Sequence, residues 1–364
     1  MNMRETHGAI AEVDHILDDV FRGLRMAPGS ICMIACQYLK NWGIMVNDEN
    51  REFIEEKSLD GFRRQWRSSS SLTHQMINNA SSRAGITYNN NQLNQMLASM
   101  AMGVIEEMAR DCAGKKRIRV LDIGAGDGKT TIAVLDQMRS MGQEQLAGRC
   151  KFILLDPSPV ALAAAHTRIG ERGAVLPIGG TLEDYFDEDP KSPDIVISNA
   201  VFHHFSFPTF LGRIYEKLAD DGVMVVGDWH TTIWSQPAFI VPILRMLNAE
   251  ESKIRRFEMV FNVKKGDIER FERELTPMQR ESNRRMLEYE NYLSMELKGT
   301  EQATPLLLFE AHESLEDRMG KYRDTGFVTD LNELKEKKWC GSIRSNVRTP
   351  KSKYELGAVA LVAK

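Results

Sequence analysis

Cysteine is scarce in this sequence and follows no recognisable pattern. The 364 residues contain five cysteines, at positions 32, 36, 112, 150 and 340, without the paired CxxC spacing of a zinc ribbon or a redox site. An odd, scattered set favours a reducing compartment over a disulfide framework. The first residues also lack the basic flank and the apolar run of a signal peptide. We therefore expect a cytoplasmic protein.

Long basic runs and long apolar runs are missing as well. Lys and Arg total 47 against 51 Asp and Glu, a formal net charge of −4, which disfavours binding to the phosphates of a nucleic acid. No stretch approaches the roughly 20 apolar residues that a membrane span requires. We therefore expect a small-molecule partner, with no role in binding nucleic acid or membrane.

What the sequence does contain is enough apolar material for two domains. Hydrophobic residues make up 42% of the chain, and a single core rarely grows beyond about 250 residues. Residues 1–115 show apolar side chains at helical spacing, for example over 93–108, with polar breaks expected between helices at 68–71 and 89–91. We predict a helical domain over 1–115 that forms a homodimer, because its apolar faces exceed what a small bundle buries alone.

The pattern changes in residues 116–364. Short apolar runs at 119–123, 152–156, 174–178, 195–198 and 223–227 alternate with helical stretches, which indicates βαβ units and a parallel sheet. Two further strands are expected near 339–344 and 354–362, and a charged helical insertion is expected at about 231–310. The predicted fold is an α/β Rossmann-like domain with a helical lid insertion, preceded by the helical domain.

A glycine-rich turn follows the first predicted strand. Asp122 lies within that strand, and Gly124, Gly126 and Gly128 follow at GxGxG spacing. Glycines allow positive φ and a close approach of the backbone to a ligand. Lys129 stands where the dinucleotide-binding GxGxxG loop has its third glycine, which disfavours NAD. A helix is expected to begin near Lys129.

The second strand ends at Asp156, whose carboxylate can accept hydrogen bonds from both hydroxyls of a ribose. Pro157 follows, and then Ser158 and Pro159 have the pattern of an N-cap and a first helical residue. Gly128 and Asp156 are far apart in the sequence for this kind of fold, which predicts a longer connection after the first helix.

Two later positions complete the set. Thr181 and Leu182 follow the third strand and are expected to flank an adenine ring. Asn199 ends the fourth strand, where it would face the remaining end of the ligand.

In this order, over residues 119–228, these motifs resemble those of the class I S-adenosylmethionine-dependent methyltransferases. The resemblance implies a Rossmann-like methyltransferase fold and S-adenosyl-L-methionine as the cofactor. The residues it assigns to cofactor binding are Asp122, Gly124, Gly126, Gly128, Asp156, Pro157, Thr181, Leu182 and Asn199.

A closer resemblance concerns two histidines. Asp228-Trp229-His230 at the end of the fifth strand, with the later His312, resembles the α-keto acid C-methyltransferases, which methylate the β-carbon of 2-oxo acids such as phenylpyruvate, 4-methyl-2-oxovalerate or 2-ketoarginine. The resemblance implies that His230 and His312 hold one transition metal ion, of the iron or zinc class. Asp228 would be a third ligand or would orient His230. Such an ion can stabilise the enolate of a bound 2-oxo acid.

The side chain of the substrate is suggested only by charge. Asp228, Glu310 and Glu313 could pair with a guanidinium, which favours 2-ketoarginine among these 2-oxo acids.

The residues by themselves leave other functions open. His230 can be the general base of a metal-free O- or N-methyltransferase, with His312 a helix-capping residue, and the chain can also be a non-catalytic protein that binds the cofactor. The adjacent His203 and His204 are expected to be structural or to line a pocket, because neighbouring side chains on a helix point in different directions.

Overall fold

The protein was analysed as a computed structural model. The structure describes residues 71–84, 86–111, 117–188, 191–202, 208–229, 250–260, 262–274, 315–330, 344–348 and 355–364, with isolated positions elsewhere. The chain divides into two compact units. The sheet unit comprises residues 66–74, 87–230 and 314–364, and the helical unit comprises 1–65, 75–86 and 231–313.

Seven strands of the sheet unit form one mixed sheet. They are β1 (Ile118–Ile123), β2 (Cys150–Asp156), β3 (Val175–Gly179), β4 (Ile195–Asn199), β5 (Val223–Trp229), β6 (Arg344–Arg348) and β7 (Glu355–Ala363). The strand order is β3-β2-β1-β4-β5-β7-β6. Strands β1 to β5 are parallel, and β7 pairs antiparallel with both β5 and β6. The order reverses between β1 and β4, and such a switch point is where open α/β sheets bind ligands.

Ten α-helices accompany these strands among the described residues. They are α1 (Ser71–Arg83), α2 (Ile86–Asp111), α3 (Lys129–Ser140), α4 (Glu144–Arg149), α5 (Pro159–Ile169), α6 (Leu182–Glu188), α7 (Pro208–Lys217), α8 (Glu251–Val260), α9 (Lys265–Glu274) and α10 (Leu315–Asp324). The short helix α4 is the longer connection that the sequence predicted between the glycine turn and β2. The predicted N-cap is also confirmed, because the Ser158 hydroxyl accepts a hydrogen bond from the Ala161 N–H at 3.3 Å and Pro159 begins α5.

Helix α2 packs into the core of the sheet. Its buried residues Leu93, Leu97, Ala101 and Ile105 recur every four positions and share one hydrophobic cluster with the strands. Full burial of a leucine or isoleucine side chain contributes about 1.5–3 kcal/mol. Residues 87–111 therefore belong to the sheet unit, whereas the sequence pattern placed a domain boundary near residue 115.

One local expectation was wrong, and another falls mostly outside the described residues. Residues 89–91 were expected to break a helix, but they lie inside α2, where packing of the following apolar residues outweighs the weak helix propensity of three asparagines. The strand expected near 339–344 falls mostly outside the described residues. The described strand β6 begins at Arg344 and spans Arg344–Arg348, where it pairs with β7. The other predicted strands are confirmed within one or two residues at each end.

The helical unit has a small core of its own. Met76, Ala80 and Ala84 on or just after α1 pack against Tyr289 and Leu293. Among the described residues, no helix is long and apolar enough to cross a membrane.

Candidate active site

The glycine turn between β1 and α3 is shaped by close contacts. Gly124 has a φ of +66°, and a Cβ atom there would lie 2.4 Å from Val201 Cγ2. Gly126 has a φ of +52°, but the nearest atom to a Cβ there would be the Gly124 carbonyl oxygen, 4.0 Å away. Only glycine adopts such φ values without strain. Gly124 is therefore required by the protein's own packing, whereas Gly126 faces open space that a ligand can fill.

Backbone hydrogen bonds tie this turn to the end of β2. The Gly124 and Ala125 N–H groups both donate to the Leu155 carbonyl oxygen, at 2.8 and 3.1 Å. The Gly126 N–H donates to Asp156 Oδ2 at 2.9 Å. These hydrogen bonds thus fix the position of the turn relative to the predicted ribose-binding carboxylate.

Asp156 is placed to bind a diol. Its Oδ1 accepts a hydrogen bond from the Ser158 N–H at 2.8 Å, so each carboxylate oxygen has one backbone donor. Burial raises the pKa of Asp156 to about 6, although those two N–H groups oppose the rise. Since an ionised carboxylate has about four acceptor positions, each oxygen can still accept one hydroxyl, as a ribose requires.

Asp122 is a buried carboxyl group in β1, directly behind the turn. It has no exposed surface, and the Thr131 hydroxyl donates to its Oδ2 at 2.7 Å. Its Oδ1 is buried and has no hydrogen-bond partner among the described residues. Burial raises the pKa of Asp122 to about 7, and the charge of Asp156 adds to the rise. An unsatisfied buried acceptor of this kind fits a cationic donor such as an α-ammonium group.

The end of β4 forms the other side of the switch point. Ala200 has a φ of +56°, which is unusual for a residue with a side chain. Its N–H donates to the Gly227 carbonyl oxygen at 2.8 Å. The strained turn places Val201 against Gly124 and leaves Asn199 at the carboxyl edge of the sheet.

A residue of helix α2 enters the site, and sequence analysis did not assign it. Asn94 is 6% exposed, and its Oδ1 accepts hydrogen bonds from Thr130 Oγ1 and Asn199 Nδ2, both at 2.8 Å. Thr130 lies in the first turn of α3, just after the glycine turn. The available signal was an amide flanked by Leu93 and Leu97 in an apolar stripe, because a polar residue in that position needs a buried partner.

The predicted adenine-flanking residues lie beside β2. The Gly180 N–H donates to the Asp156 carbonyl oxygen at 3.1 Å, which brings the start of α6 next to the ribose position. Thr181 donates from its N–H and its hydroxyl to Asp184 Oδ2, at 2.7 and 3.0 Å. Leu182 is 2% exposed, so its side chain packs into the protein interior. Pro157 is half-buried next to Asp156.

Asp228 near the end of β5 is engaged in a buried ion pair. Arg318 on α10 lies with its Nη1 3.2 Å from Asp228 Oδ2, and the two side chains are 5% and 0% exposed. A metal ion at this carboxylate would have to compete with the guanidinium. The arrangement fits a positioning role for Asp228 better than a role as third metal ligand, and it already provides this acid with a cation.

The two candidate metal ligands, His230 and His312, lie outside the described residues, as do His203, His204, Glu310 and Glu313. Within the part of the chain that the structure describes, no three His, Cys, Asp or Glu side chains are grouped to hold a metal ion.

Comparison with known proteins identifies the central part of this unit. Residues 121–224 match the family model described as a methyltransferase domain. No curated protein matches the chain in sequence.

Solved structures with a similar arrangement include the DszA carbon methyltransferase, at 14% identity and a TM-score of 0.40, with 72% of this chain and 50% of that chain covered. The cyclopropane synthase MmaA2 from Mycobacterium tuberculosis is 13% identical, with a TM-score of 0.35 and coverages of 71% and 82%. The 1,6-didemethyltoxoflavin-N1-methyltransferase of Burkholderia thailandensis, solved with S-adenosylhomocysteine, is 16% identical, with a TM-score of 0.34 and coverages of 72% and 78%. The chain thus spans half the length of the first of these proteins.

The predicted fold class is confirmed, and residues 121–224 within the predicted domain match a methyltransferase domain. The predicted domain bounds stay a prediction. The sheet has the predicted Rossmann-like architecture, and the family match spans the glycine turn, Asp156, Thr181 and Asn199. The assignment of individual residues to cofactor binding stays a prediction, with a site geometry that fits S-adenosylmethionine.

Proposed function

We propose that this protein transfers the methyl group of S-adenosylmethionine to the β-carbon of a 2-oxo acid. The observation that carries the choice of methyl donor is the pair of carboxyl groups at the switch point. Asp156 has acceptor positions for a ribose diol, and Asp122 has a buried oxygen that suits an α-ammonium group. S-adenosylmethionine carries both groups, separated by its sulfonium centre.

The positions of the other residues support the same orientation. Asp156 lies at the end of β2 and Asn199 at the end of β4, on either side of β1. The ribose would bind on the β2 side, with Thr181 nearby, and the methionine end on the β4 side. When bound there, the cofactor supplies an electrophilic methyl group on a positively charged sulfur.

The acceptor is proposed from the two histidines. His230 directly follows Trp229, the last residue of β5, so the chain leaves the carboxyl edge of the sheet at that point. His312 precedes the first residue of α10, Leu315, by three positions. The resemblance to the α-keto acid C-methyltransferases is what supports assigning both imidazoles to one transition metal ion, which would supply Lewis-acid stabilisation of a 2-oxo acid enolate.

The bond changes balance without a further reagent. A base removes one proton from the β-carbon of the 2-oxo acid, and that carbon then forms a bond to the sulfonium methyl group. The electron pair of the broken sulfur–carbon bond stays on sulfur, which leaves as the neutral thioether of S-adenosylhomocysteine. The role of the protein is to hold the carbon and the methyl group in line.

The buried pair of Asp228 and Arg318 supports a positioning role next to this site. It joins the end of β5 to α10, the elements that adjoin His230 and His312 in the sequence. It also weakens the argument for 2-ketoarginine. Asp228 was one of three acids expected to pair with a substrate guanidinium, but its charge is already paired with Arg318. The proposal is therefore made for 2-oxo acids as a class.

The test is a screen of 2-oxo acids with S-adenosylmethionine that carries an isotopically labelled methyl group. We expect one of phenylpyruvate, 4-methyl-2-oxovalerate or 2-ketoarginine to gain a carbon-bound methyl group, together with an equal amount of S-adenosylhomocysteine. In deuterated water the same acid should exchange its β-protons without the cofactor. His230→Ala and His312→Ala should each abolish exchange and lower the metal content, while binding of S-adenosylmethionine is retained.

The alternatives give different results in the same screen. Methylation of oxygen or nitrogen acceptors by metal-free protein would replace the proposal with the general-base function of His230. Binding of the cofactor with no turnover of any acceptor would indicate a non-catalytic protein.

A further inference from the structure

We infer that Asn94 of helix α2 binds the carboxylate of the methionine end of S-adenosylmethionine. The inference rests on the proposed cofactor and extends its site to a helix outside the residues 121–224 that match the methyltransferase domain. It starts from a buried amide that joins both sides of the switch point.

The hydrogen bonds of Asn94 fix the direction of its amide. Thr130 Oγ1 and Asn199 Nδ2 both donate to Asn94 Oδ1, at 2.8 Å each. The oxygen therefore points between the start of α3 and the end of β4. The nitrogen of the same amide carries two N–H groups, and no described residue accepts a hydrogen bond from it.

The accessibility of this nitrogen makes it a candidate ligand donor. Asn94 is 6% exposed as a residue, but its amide nitrogen is not among the fully buried side-chain atoms that lack a partner in the described part of the chain. The nitrogen therefore keeps a small accessible surface through which a ligand can reach it. A ligand acceptor there would form a hydrogen bond with an amide whose orientation the protein already fixes.

The place of Asn94 in the sheet unit selects the part of the ligand. The two residues that it contacts flank the switch point, because Thr130 lies in the first turn of the helix after β1 and Asn199 ends β4. Asp156, which suits the ribose, lies at the end of β2, on the far side of β1 from Asn199. The end of S-adenosylmethionine distant from its ribose carries an α-carboxylate and an α-ammonium group.

The two protein groups without hydrogen-bond partners suit different parts of this amino-acid end. The buried Asp122 Oδ1 is an acceptor and suits the ammonium group. The amide nitrogen of Asn94 is a donor and suits the carboxylate. A hydrogen bond to a charged group is worth about twice one between neutral groups, so Asn94 should contribute measurably to affinity.

The test compares two ligands by calorimetry. S-adenosylhomocysteine contains the amino-acid end, whereas 5′-methylthioadenosine has the same adenosine and thioether but lacks that end. In Asn94→Asp, the carboxylate can still accept from Thr130 and Asn199, but the two N–H donors are gone. At about pH 8, well above the usual Asp pKa of about 4, the new charge also repels the ligand carboxylate.

We expect Asn94→Asp to lower the affinity for S-adenosylhomocysteine by roughly ten- to a hundredfold, which is the range for a lost hydrogen bond to a charged group. The affinity for 5′-methylthioadenosine should change less than about twofold. Gln95→Glu makes the same chemical change on the exposed face of the same helix, and it should affect neither ligand. Asn94→Ala should also lose affinity for S-adenosylhomocysteine and keep its affinity for 5′-methylthioadenosine. This variant checks the result without an added charge.

The outcomes separate the inference from the proposed function. If the affinity for both ligands falls equally in the two Asn94 variants, Asn94 only supports the glycine turn and the inference is wrong. If the affinity for neither ligand falls, Asn94 lies outside the site and the inference is also wrong. If the wild-type protein binds neither ligand, the proposed cofactor itself is wrong, whatever the variants do.

Discussion

Asp156 offers the most direct test at the scale of single residues. Asp156→Ala should weaken S-adenosylmethionine binding by about 1.5–3 kcal/mol, because it removes hydrogen bonds to a charged acceptor. Affinity should also fall as the pH drops through about 6, the raised pKa of this carboxyl group, since protonation removes acceptor positions. Calorimetry across this pH range measures both effects.

The control is Asp136→Asn, which changes an exposed carboxylate on α3. It should leave the affinity and its pH dependence unchanged. Unaltered binding by Asp156→Ala would remove this residue from the site.

Asp122 should affect stability and binding in opposite directions. Burial raises its pKa from the usual 3.8 to about 7, so between these values the folded chain holds a proton that the unfolded chain has released. Protonated Asp122 therefore adds to the free energy of unfolding, and this contribution is lost as the pH rises through about 7 and the buried carboxyl group becomes charged. Asp122→Asn keeps the size of the side chain and an acceptor for Thr131 but carries no charge. We expect it to stabilise the ligand-free protein at about pH 8 by about 1–3 kcal/mol, and to weaken cofactor binding.

Urea unfolding of the ligand-free protein from about pH 5 to pH 8 tests this expectation. The variant should lose less stability than the wild type as the pH rises, and the slope that remains should come partly from Asp156. An unchanged pH profile would mean that Asp122 does not hold the extra proton.

Single residues also show where sequence analysis reached its limit. Asp122, Asp156 and the glycines were recognised because a strand and a turn fix their position from the local sequence. Asn94 was missed because its partner Asn199 is 105 positions away. The pair of Asp228 and Arg318 was missed for the same reason, since no local pattern joins β5 to α10.

At the scale of elements, the turn between β1 and α3 predicts a contrast between two glycines. Gly124→Ala and Gly126→Ala both place an L-residue at positive φ, at a cost of about 1–2 kcal/mol. Only Gly124→Ala adds an overlap with Val201, so it should destabilise the protein more. Gly126→Ala should mainly weaken cofactor binding, because its Cβ enters the open space of the turn.

Unfolding in urea and calorimetry with S-adenosylhomocysteine separate the two effects. Val201→Ala should recover part of the stability lost in Gly124→Ala, since it removes both methyl groups that would overlap. Equal losses of stability in the two single variants would contradict the assigned roles.

The buried ion pair between β5 and α10 predicts a non-additive result. Arg318→Met leaves the Asp228 carboxylate buried with its close cation removed, which should cost about 3–5 kcal/mol. Asp228→Asn combined with Arg318→Met should be less destabilising than the sum of the two single changes, because the double variant buries no charge. A double-mutant cycle by urea unfolding measures this coupling. Additive losses would show that the two side chains do not depend on each other.

Elements were predictable where their hydrophobic pattern decides their structure. Strands β1, β2, β4 and β5 are buried on both faces, so each gives a short apolar run that stands out from the helices. Strand β3 lies at the edge of the sheet and is only partly buried, but its apolar run was still recognisable. Helix α2 contradicts its local pattern at 89–91, because its stability comes from the core contacts of Leu93, Leu97 and Ile105. Such contacts depend on the whole sheet and have no local signal.

At the scale of the whole molecule, the division of the chain depends on these same long-range contacts. The sequence placed all residues up to 115 in one helical domain, but residues 87–111 share the core of the sheet. Residues 75–86 and 231–313 lie together in the helical unit, although about 150 residues separate them in the sequence. A composition change along the chain marks where the pattern changes, not which segments pack together.

The packing of the described helices sharpens the expected homodimer. Helix α1 uses Met76 and Ala80 within the helical unit, and the apolar face of α2 is buried in the sheet unit. Apolar surface for a second copy must then come from elsewhere in the predicted 1–115 domain. We expect the dimer contacts to lie before residue 71, in the part of that domain where the structure describes only isolated positions.

Light scattering of the full chain at micromolar concentration should give twice the mass of 41.3 kDa. Gln95→Arg and Ser99→Arg place charges on the exposed face of α2, and they should leave that mass unchanged because this face is not expected to contact the partner. Hydrogen exchange should show concentration-dependent protection before residue 71, since only groups covered by the second copy lose protection on dilution. Dissociation by the α2 variants would place the interface on that helix, and a monomeric mass for the wild type would reject the dimer altogether.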